Sequence, residues 1–431
     1  MKKKETIKQE ISHRKYKKPN PLIWGFLLNV VIRPFLARKY NSHIHKEVDI
    51  SKEKGPCFVV YNHQSRMDYV WLARCCAPRP VNFVIGYNEH YRSHLHFILK
   101  LLYTIPKKNF NIDFGAMRAM DSIIKQNGVV CFSPEGMSSI SGHSQPSVTG
   151  TGKFLKHYDI PVYVVKTVGG FLTNTKVCLD ERKGRVDSTI SLLFSKEDLK
   201  NMSAEEIQLK LDEALWHDDY EWNKKAHVKY ETNGRICAHL HDLLYRCPKC
   251  GHEFTMHGEG NKIVCSHCGN GATMDDYYDF HPLGKDDIIP ASPSRWFDEE
   301  RRFVYQEIKA NPNYSFEFDA KVGELDPYQF IKDMRTSNEC GEGKVTINHE
   351  GFFFKGIKDG KPWEWKLHWE ELPTLGMPVD MTYFSLYVNG DYYDLIPTQP
   401  IEGKVLLLVE EMARLHDGSW KNFPWMNWIY E

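Results

Sequence analysis

His63 and Asp68 stand five residues apart where an apolar run gives way to a polar turn. A neutral imidazole can take a proton from a hydroxyl near pH 7, and a nearby carboxylate fixes its tautomer and steadies the imidazolium that forms. Such a pair needs no serine or cysteine nucleophile if a substrate hydroxyl itself attacks. Residues 57–61 read as a strand and residues 69–76 as a helix. His63 then sits at the strand's carboxyl end and Asp68 in the first helical turn. In open α/β sheets that edge is where sites are built. The purely local alternative makes Ser65 an N-cap, Asp68 its capping-box partner and His63 a polar loop residue.

A second stretch has the same shape. Residues 129–132 form an apolar strand that runs into Ser133-Pro134-Glu135-Gly136. Together, Asn62-His63 with Asp68, and Phe132-Ser133-Pro134-Glu135-Gly136, resemble the two signatures of the glycerolipid acyltransferases, His-x4-Asp and Phe-Pro-Glu-Gly-Thr-Arg-Ser. Ile160-Pro161-Val162 is similar to their later apolar-Pro-apolar block, and the resemblance spans roughly residues 22–225.

The resemblance implies an α/β domain that moves a fatty acyl group from a thioester, acyl-CoA or acyl-carrier protein, to the free hydroxyl of a lysophospholipid. 1-Acyl-sn-glycerol-3-phosphate is the leading acceptor. His63 would be the general base and Asp68 its orienter, with Asn62, Arg66, Glu135, Gly136 and Ser138 in the acceptor site. The family places an arginine for the acceptor's phosphate near Ile105-Pro106; this chain offers Lys107 and Lys108. Lysine binds phosphate as a point charge, without arginine's bidentate fork. Met137-Ser138-Ser139 replaces the Thr-Arg-Ser end of the second signature. Two other readings stay open: a catalytically inactive lipid- or protein-binding adaptor on the same fold, and an acyltransferase with a non-phosphate acceptor.

The remaining elements must position this site. Strands are expected at 81–85, 160–167, 177–179 and 188–194. Helices are expected at 94–102, 113–126 and 204–215, the second with a core stripe through Phe114, Met117, Met120, Ile123 and Ile124 and Gly128 as its C-cap. The polar loop from Ser138 to Ser144 could present backbone N–H groups to phosphate, or be a flexible surface loop.

Formal net charge is zero, so nothing argues for nucleic acid. The first 20 residues are basic, and residues 21–38 are apolar but interrupted by Asn29 and Arg33. This suits a helix in a membrane interface, with Trp24 at headgroup depth and the basic residues on anionic lipid. Eleven cysteines without a secretory signal point to a reducing cytoplasm, so the expected location is cytoplasmic, peripheral to the inner face of the cell membrane.

Cys247, Cys250, Cys265 and Cys268 form two Cys-x2-Cys knuckles, which read as a zinc ribbon with four thiolates closing a structural Zn2+ site. His252, His257 and His267 read as bystanders. Residues 282–293 read as a linker. Aromatic alternation beyond it, with Asn389-Gly390 as a hairpin turn and a helix at 401–415, suggests a small β-barrel or sandwich. The expected fold class is therefore an acyltransferase-like α/β domain (51–240) after a basic arm and interface helix (1–50). A zinc ribbon (241–281) and a C-terminal all-β, pleckstrin-homology-like domain closed by a helix (294–431) follow.

Overall fold

Strands Ser42–Lys46 (β1), Cys57–Tyr61 (β2), Asn82–Gly86 (β3), Ile105–Lys107 (β4), Val129–Phe132 (β5), Val162–Val168 (β6) and Val186–Phe194 (β7) pair in the order β1-β7-β6-β2-β5-β3-β4. The structure, a computed structural model, describes residues 5–332, 337–420 and 423–430. β2, β5, β3, β4 and β6 are mutually parallel; β7 runs antiparallel to β6 and parallel to β1. All five residues of β2 are buried, which explains why its sequence is a continuous apolar run rather than an alternation. Cys57, Val59 and Tyr61 join the core on one face, with Trp71 and Leu72. Phe58 and Val60 join the other, with Met120, Ile123 and Leu155. Each fully buried side chain of this size contributes about 1.5–3 kcal/mol, so the strand carrying His63 at its end is among the best-held parts of the fold.

The expected elements around the sheet are corrected in detail. Residues 177–179 form no strand; Thr175 and Cys178 make a single bridge after the short helix Gly170–Thr173. The helix expected at 113–126 is Phe114–Ile124, and Phe114 itself is two-thirds exposed. Its C-terminal left-handed residue is Asn127 rather than Gly128. The basic arm contains a helix, Ile7–His13, with a Thr6/Gln9 capping box, and buries Ile7 and Ile11 against Tyr87 and Tyr91.

Pro21–Lys39 is one continuous helical stretch, long and apolar enough to cross a membrane, with a π-helical segment Leu27–Leu36. Asn29 and Arg33 do not interrupt it. The Asn29 amide donates to the Gly25 carbonyl, and Arg33 donates to Asn29 Oδ1 at 2.7 Å, so both polar groups are bonded along the helix itself. Trp24 is buried with Leu28 and Ile32 in the sheet's core, near Phe83, and does not face outward. The opposite face leaves Leu22, Phe26 and Phe35 exposed.

After the α/β sheet, Met256–Glu259 (β8), Lys262–Cys265 (β9), Gly271–Met274 (β10) and Phe280–Pro282 (β11) form a small antiparallel sheet. Ser315–Glu324 (β12), Asn338–Asn348 (β13), Gly351–Lys358 (β14), Lys361–Leu367 (β15), Phe384–Val388 (β16) and Asp391–Pro397 (β17) form a third, in the order β15-β14-β13-β12-β17-β16. Among the described residues its edge strands β15 and β16 do not pair, so hydrogen bonds do not close it into a barrel. The C-terminal part is not all-β either. Pro293–Ala310 is an 18-residue helix with Ser292 as N-cap and Pro293 at its first position. It packs along helix Glu402–His416, whose residues Glu402 to Ala413 are all buried. Between them Arg301 donates to Glu411 at 2.9 Å and to Glu410 at 2.5 Å, which pairs these buried charges. One apolar core runs from Met137 and Ile140 through the ribbon to Val405 and Met412, joining all three regions.

Candidate active site

β2 delivers its chain into the site through Asn62. This residue is fully buried, its amide donates to the Thr167 carbonyl and its Oδ1 accepts from the Thr167 N–H, both at 2.8 Å. The side chain continues the β2–β6 ladder beyond the last strand pair. Both ends of the amide are occupied by backbone, so Asn62 is a structural clamp and not the substrate ligand expected of it.

His63 follows at the carboxyl edge. Its Nδ1 lies 2.7 Å from Asp68 Oδ2. The Asp68 carboxylate also accepts from the backbone N–H groups of Gln64 and Ser65, each at 3.1 Å, and from Trp71 Nε1 at 3.0 Å. Burial pushes the Asp68 carboxyl up from its ordinary range, and the bond to His63 opposes that. The converging donors favour the carboxylate form, which fixes the imidazole proton on Nδ1. The ring is about a quarter exposed, leaving the Nε2 lone pair for an incoming hydroxyl. Asp68 opens helix Asp68–Cys76 with no side-chain cap on its first turn, so its carboxylate serves His63 and the preceding turn together.

The second signature folds onto the first. Glu135 Oε2 accepts from the His63 N–H at 3.2 Å, and the Ser139 N–H donates to the His63 carbonyl at 2.7 Å. Glu135 is buried, its Oε1 has no partner, and burial pushes its carboxyl well above the ordinary range. Gly136 has φ +79°, and a Cβ there would meet the Phe110 ring at 2.8 Å, so only glycine suits this turn. The loop to Ser144 is not a flexible surface loop. Ser139, Ser141, His143 and Ser144 are buried, and His143 bridges the Ser144 carbonyl and Asp298 Oδ1, each at 2.9 Å. Burial disfavours the imidazolium, but Asp298 and the nearby Asp218 push His143 up to about 9.

Arg66 and Ser138 line a narrow cleft beside His63, with Gln64, Ser65 and Ser139. Lys107 and Lys108 line neither this cleft nor its rim. The Lys107 ammonium bonds the carbonyls of Lys108 and Asn111, and burial pulls it down to about 8. Lys108 bonds the Gly390 carbonyl in the C-terminal hairpin and sits over the rings of Tyr87 and Tyr387. β4, which ends at Lys107, is the sheet's edge strand, three strands from β2. At about 4.8 Å per strand that is about 14 Å.

Sequence reasoning missed two groups. Asp219 is fully buried and accepts from the Gly169 and Phe171 N–H groups at 2.6 and 2.7 Å, holding the segment after β6. Lys176 is buried in the cleft wall. Neither belongs to a short motif; only a count of buried charges could have found them.

In the ribbon, the sulfurs of Cys247, Cys250, Cys265 and Cys268 all lie within 4.8 Å of one another, with Cys247–Cys268 at 3.6 Å and Cys250–Cys265 at 3.8 Å. Tetrahedral Zn–S bonds of about 2.3 Å require S···S separations of about 3.8 Å, so these four could hold a structural zinc. Gly251 and Gly269 take positive φ after each knuckle, and each returns its N–H to the first cysteine's carbonyl at 2.9 Å. A second grouping, Cys250 with His252 and His267, is more exposed and shares only one sulfur with the first.

Residues 41–167 match the family model described as Acyltransferase. The matched span holds β1 through all but the last residue of β6, with His63, Asp68 and Glu135. Among solved structures, the chain is similar to the 1-acyl-sn-glycerophosphate (LPA) acyltransferase PlsC from Thermotoga maritima. Identity is 21%, covering 47% of this chain and 81% of that one, with a TM-score of 0.36. The comparison with curated proteins found no match. The ribbon and the third sheet lie outside the span that matches the Acyltransferase family model.

Proposed function

We propose that this protein is an O-acyltransferase that moves a fatty acyl group from a thioester donor, acyl-CoA or acyl-carrier protein, to the free hydroxyl of a lysophospholipid. The leading acceptor is 1-acyl-sn-glycerol-3-phosphate, and the product phosphatidic acid. The single observation that carries the reading is the His63 Nδ1–Asp68 Oδ2 bond of 2.7 Å, on a ring whose Nε2 remains available. His63 takes the acceptor's hydroxyl proton as the oxygen attacks the thioester carbonyl, and Asp68 steadies the imidazolium. The proton then passes to the departing thiolate. Glu135 and Ser139 hold the His63 peptide, Gly136 makes the turn between them, and Arg66 and Ser138 face the acceptor.

The exposed side chains Leu22, Phe26 and Phe35 on helix Pro21–Lys39 support contact with an anionic membrane surface, the source of the lysophospholipid acceptor. Zinc at the four cysteines is structural, because a closed thiolate set leaves no position for water. The test is purified full chain with a thioester donor and a panel of lysolipid acceptors, read by mass spectrometry. An acylated lysophospholipid is expected; absence of any acyl transfer with every acceptor and both donor carriers refutes the reading.

A further inference from the structure

The cleft beside His63 is closed by a residue from the far end of the chain. Val379, from the loop 376–381 that precedes β16, forms one wall opposite Gln64, Arg66, Ser138 and Thr175. Free volume is about 10 Å³, room for a single water. Lys176 also lines this cleft, is 5% exposed, and donates to the carbonyls of Met377 at 3.0 Å and Pro378 at 3.4 Å. An ammonium carries three N–H donors, so one is left over. Gln64 is 1% exposed and its Oε1 is a second buried polar atom without a partner. Among the described residues no carboxylate lines the cleft, while two cations, Arg66 and Lys176, do.

An isolated buried ammonium is costly, and two neutral carbonyls at 3.0 and 3.4 Å compensate it less well than an anion would. Burial pulls Lys176 down to about 8; Asp380 of the same loop and Glu89 oppose that from a distance, and neither forms an ion pair with it among the described residues. Gly376 and Ser385 exchange both backbone hydrogen bonds at 2.8 Å, and the side chains of Met377 and Met381 are buried in the shared core. Between those anchors the loop's polar hold on the cleft is the pair of carbonyls on Lys176.

We propose that Lys176 is the headgroup-anion ligand of the acceptor cleft, and that the phosphate gains it by displacing the Met377 and Pro378 carbonyls and lifting loop 376–381. The inference rests on the acyltransferase reading, and it gives the C-terminal sheet a role in acceptor entry. Arg66 assists at the rim, and Gln64 Oε1 accepts from a glycerol hydroxyl.

The test measures binding to the full chain of 1-acylglycerol-3-phosphate and of the matching 1-acylglycerol, in wild type, Lys176→Met and Lys176→Gln. Both variants should lose at least tenfold in affinity for the phosphate ligand and keep their affinity for the neutral one, which also reports that the cleft is folded. Hydrogen exchange in loop 376–381 should rise when the phosphate ligand binds. Phosphate-ligand affinity unchanged in both variants, equal weakening of both ligands, or no binding by wild type overturns the proposal, as does a loop whose exchange is unmoved. Acyl transfer measured on the same protein separates the two readings. Lys176-dependent binding without turnover sinks the transferase and keeps the anion site; turnover on the phosphate acceptor indifferent to Lys176 does the reverse.

Discussion

Ser139 and His63 are joined backbone to backbone: the Ser139 N–H donates to the His63 carbonyl at 2.7 Å. With Glu135 accepting from the His63 N–H, both polar groups of that residue's backbone are held by the second signature. The two signatures are thus one structural unit, in which Asp68 orients the imidazole and residues 135–139 fix the chain beneath it.

His63→Ala should lower acyl transfer by about 10²–10⁴-fold in a protein that still folds, the usual contribution of a general base. Asp68→Asn should be impaired to a similar degree, since the amide no longer stabilises the imidazolium and can favour the wrong tautomer. Steady-state rates and circular dichroism on the same preparations check this. Near-normal turnover by folded His63→Ala would remove the mechanism.

Glu135 makes a sharper test of what its carboxyl does. Its pKa, raised by burial, and its acceptor contact to the His63 N–H describe a group that works without its charge. Glu135→Gln keeps the acceptor and should retain activity within about threefold, the equivalent of about 0.65 kcal/mol. Glu135→Ala leaves the buried His63 N–H unpaired, at a cost of about 1–3 kcal/mol, and should lower both stability and rate. A Gln variant as damaged as the Ala variant would mean the ionised carboxylate is required.

Purified protein should contain one zinc per chain, measured by elemental analysis. Structural zinc contributes about 10–16 kcal/mol in isolated small zinc domains, so chelation should unfold the ribbon. Cys247, Cys265 and Ile263 share one core with Met137 and Ile140, which follow the Glu135 turn. Chelation should therefore also depress acyl transfer and the thermal midpoint of the whole chain. Metal-free protein with an unchanged midpoint would contradict this.

Central strands were the readable part of the sequence. β2 and β5 are buried on both faces, so their apolar runs announce them, and glycine and proline mark the turns that follow. The His63–Asp68 contact was readable because one turn spans both residues. Helix Pro293–Ala310 was not, although Ser292, Pro293 and the spacing of Trp296, Phe297, Val304 and Ile308 were present. Its Asp298, Glu300 and Arg301 are charged, yet all three are buried against partners distant in the chain. Asn62 misled for the same reason: a polar residue beside a catalytic one suggests a ligand, and its partner, Thr167, lies 105 residues on. Lys176 could not be read at all, because its partners are 201 and 202 residues away.

The His143–Asp298 pair should give the fold a pH dependence. The folded pKa of His143 lies near 9, above its ordinary 6.5, despite burial and because of Asp298 and Asp218. Its stabilisation is fully present below about pH 6.5 and is lost as pH rises through about 9. At 1.36 kcal/mol per tenfold change in proton affinity, a pKa raised from 6.5 to about 9 corresponds to roughly 3.4 kcal/mol. Urea unfolding of wild type should show stability falling across that window. Asp298→Asn should be less stable at pH 6 and nearly flat to pH 9. Parallel pH profiles for the two proteins would refute the assignment.

Lys107 and Lys108 supply the last test, since sequence position made them the phosphate site and the geometry gives them other work. Lys107 is bonded to two carbonyls of its own loop, and Lys108 ties that loop to the hairpin at Gly390 between two tyrosine rings. Each cation–π contact is worth about 0.5–1 kcal/mol at a partly exposed site, and each charged hydrogen bond about 1.5–3 kcal/mol before solvent competes. The double variant Lys107→Ala with Lys108→Ala should accordingly lose about 1–3 kcal/mol of stability in urea unfolding. The ratio of kcat/KM for 1-acylglycerol-3-phosphate over 1-acylglycerol should stay within about twofold of wild type, under 0.5 kcal/mol. Added salt should change that ratio equally in both proteins, because the lysines contribute no charge to the cleft. A tenfold selective loss on the phosphate acceptor would restore them as its ligands. Phosphate recognition would then sit at the sheet edge, and the cleft beside His63 would receive only the reacting hydroxyl.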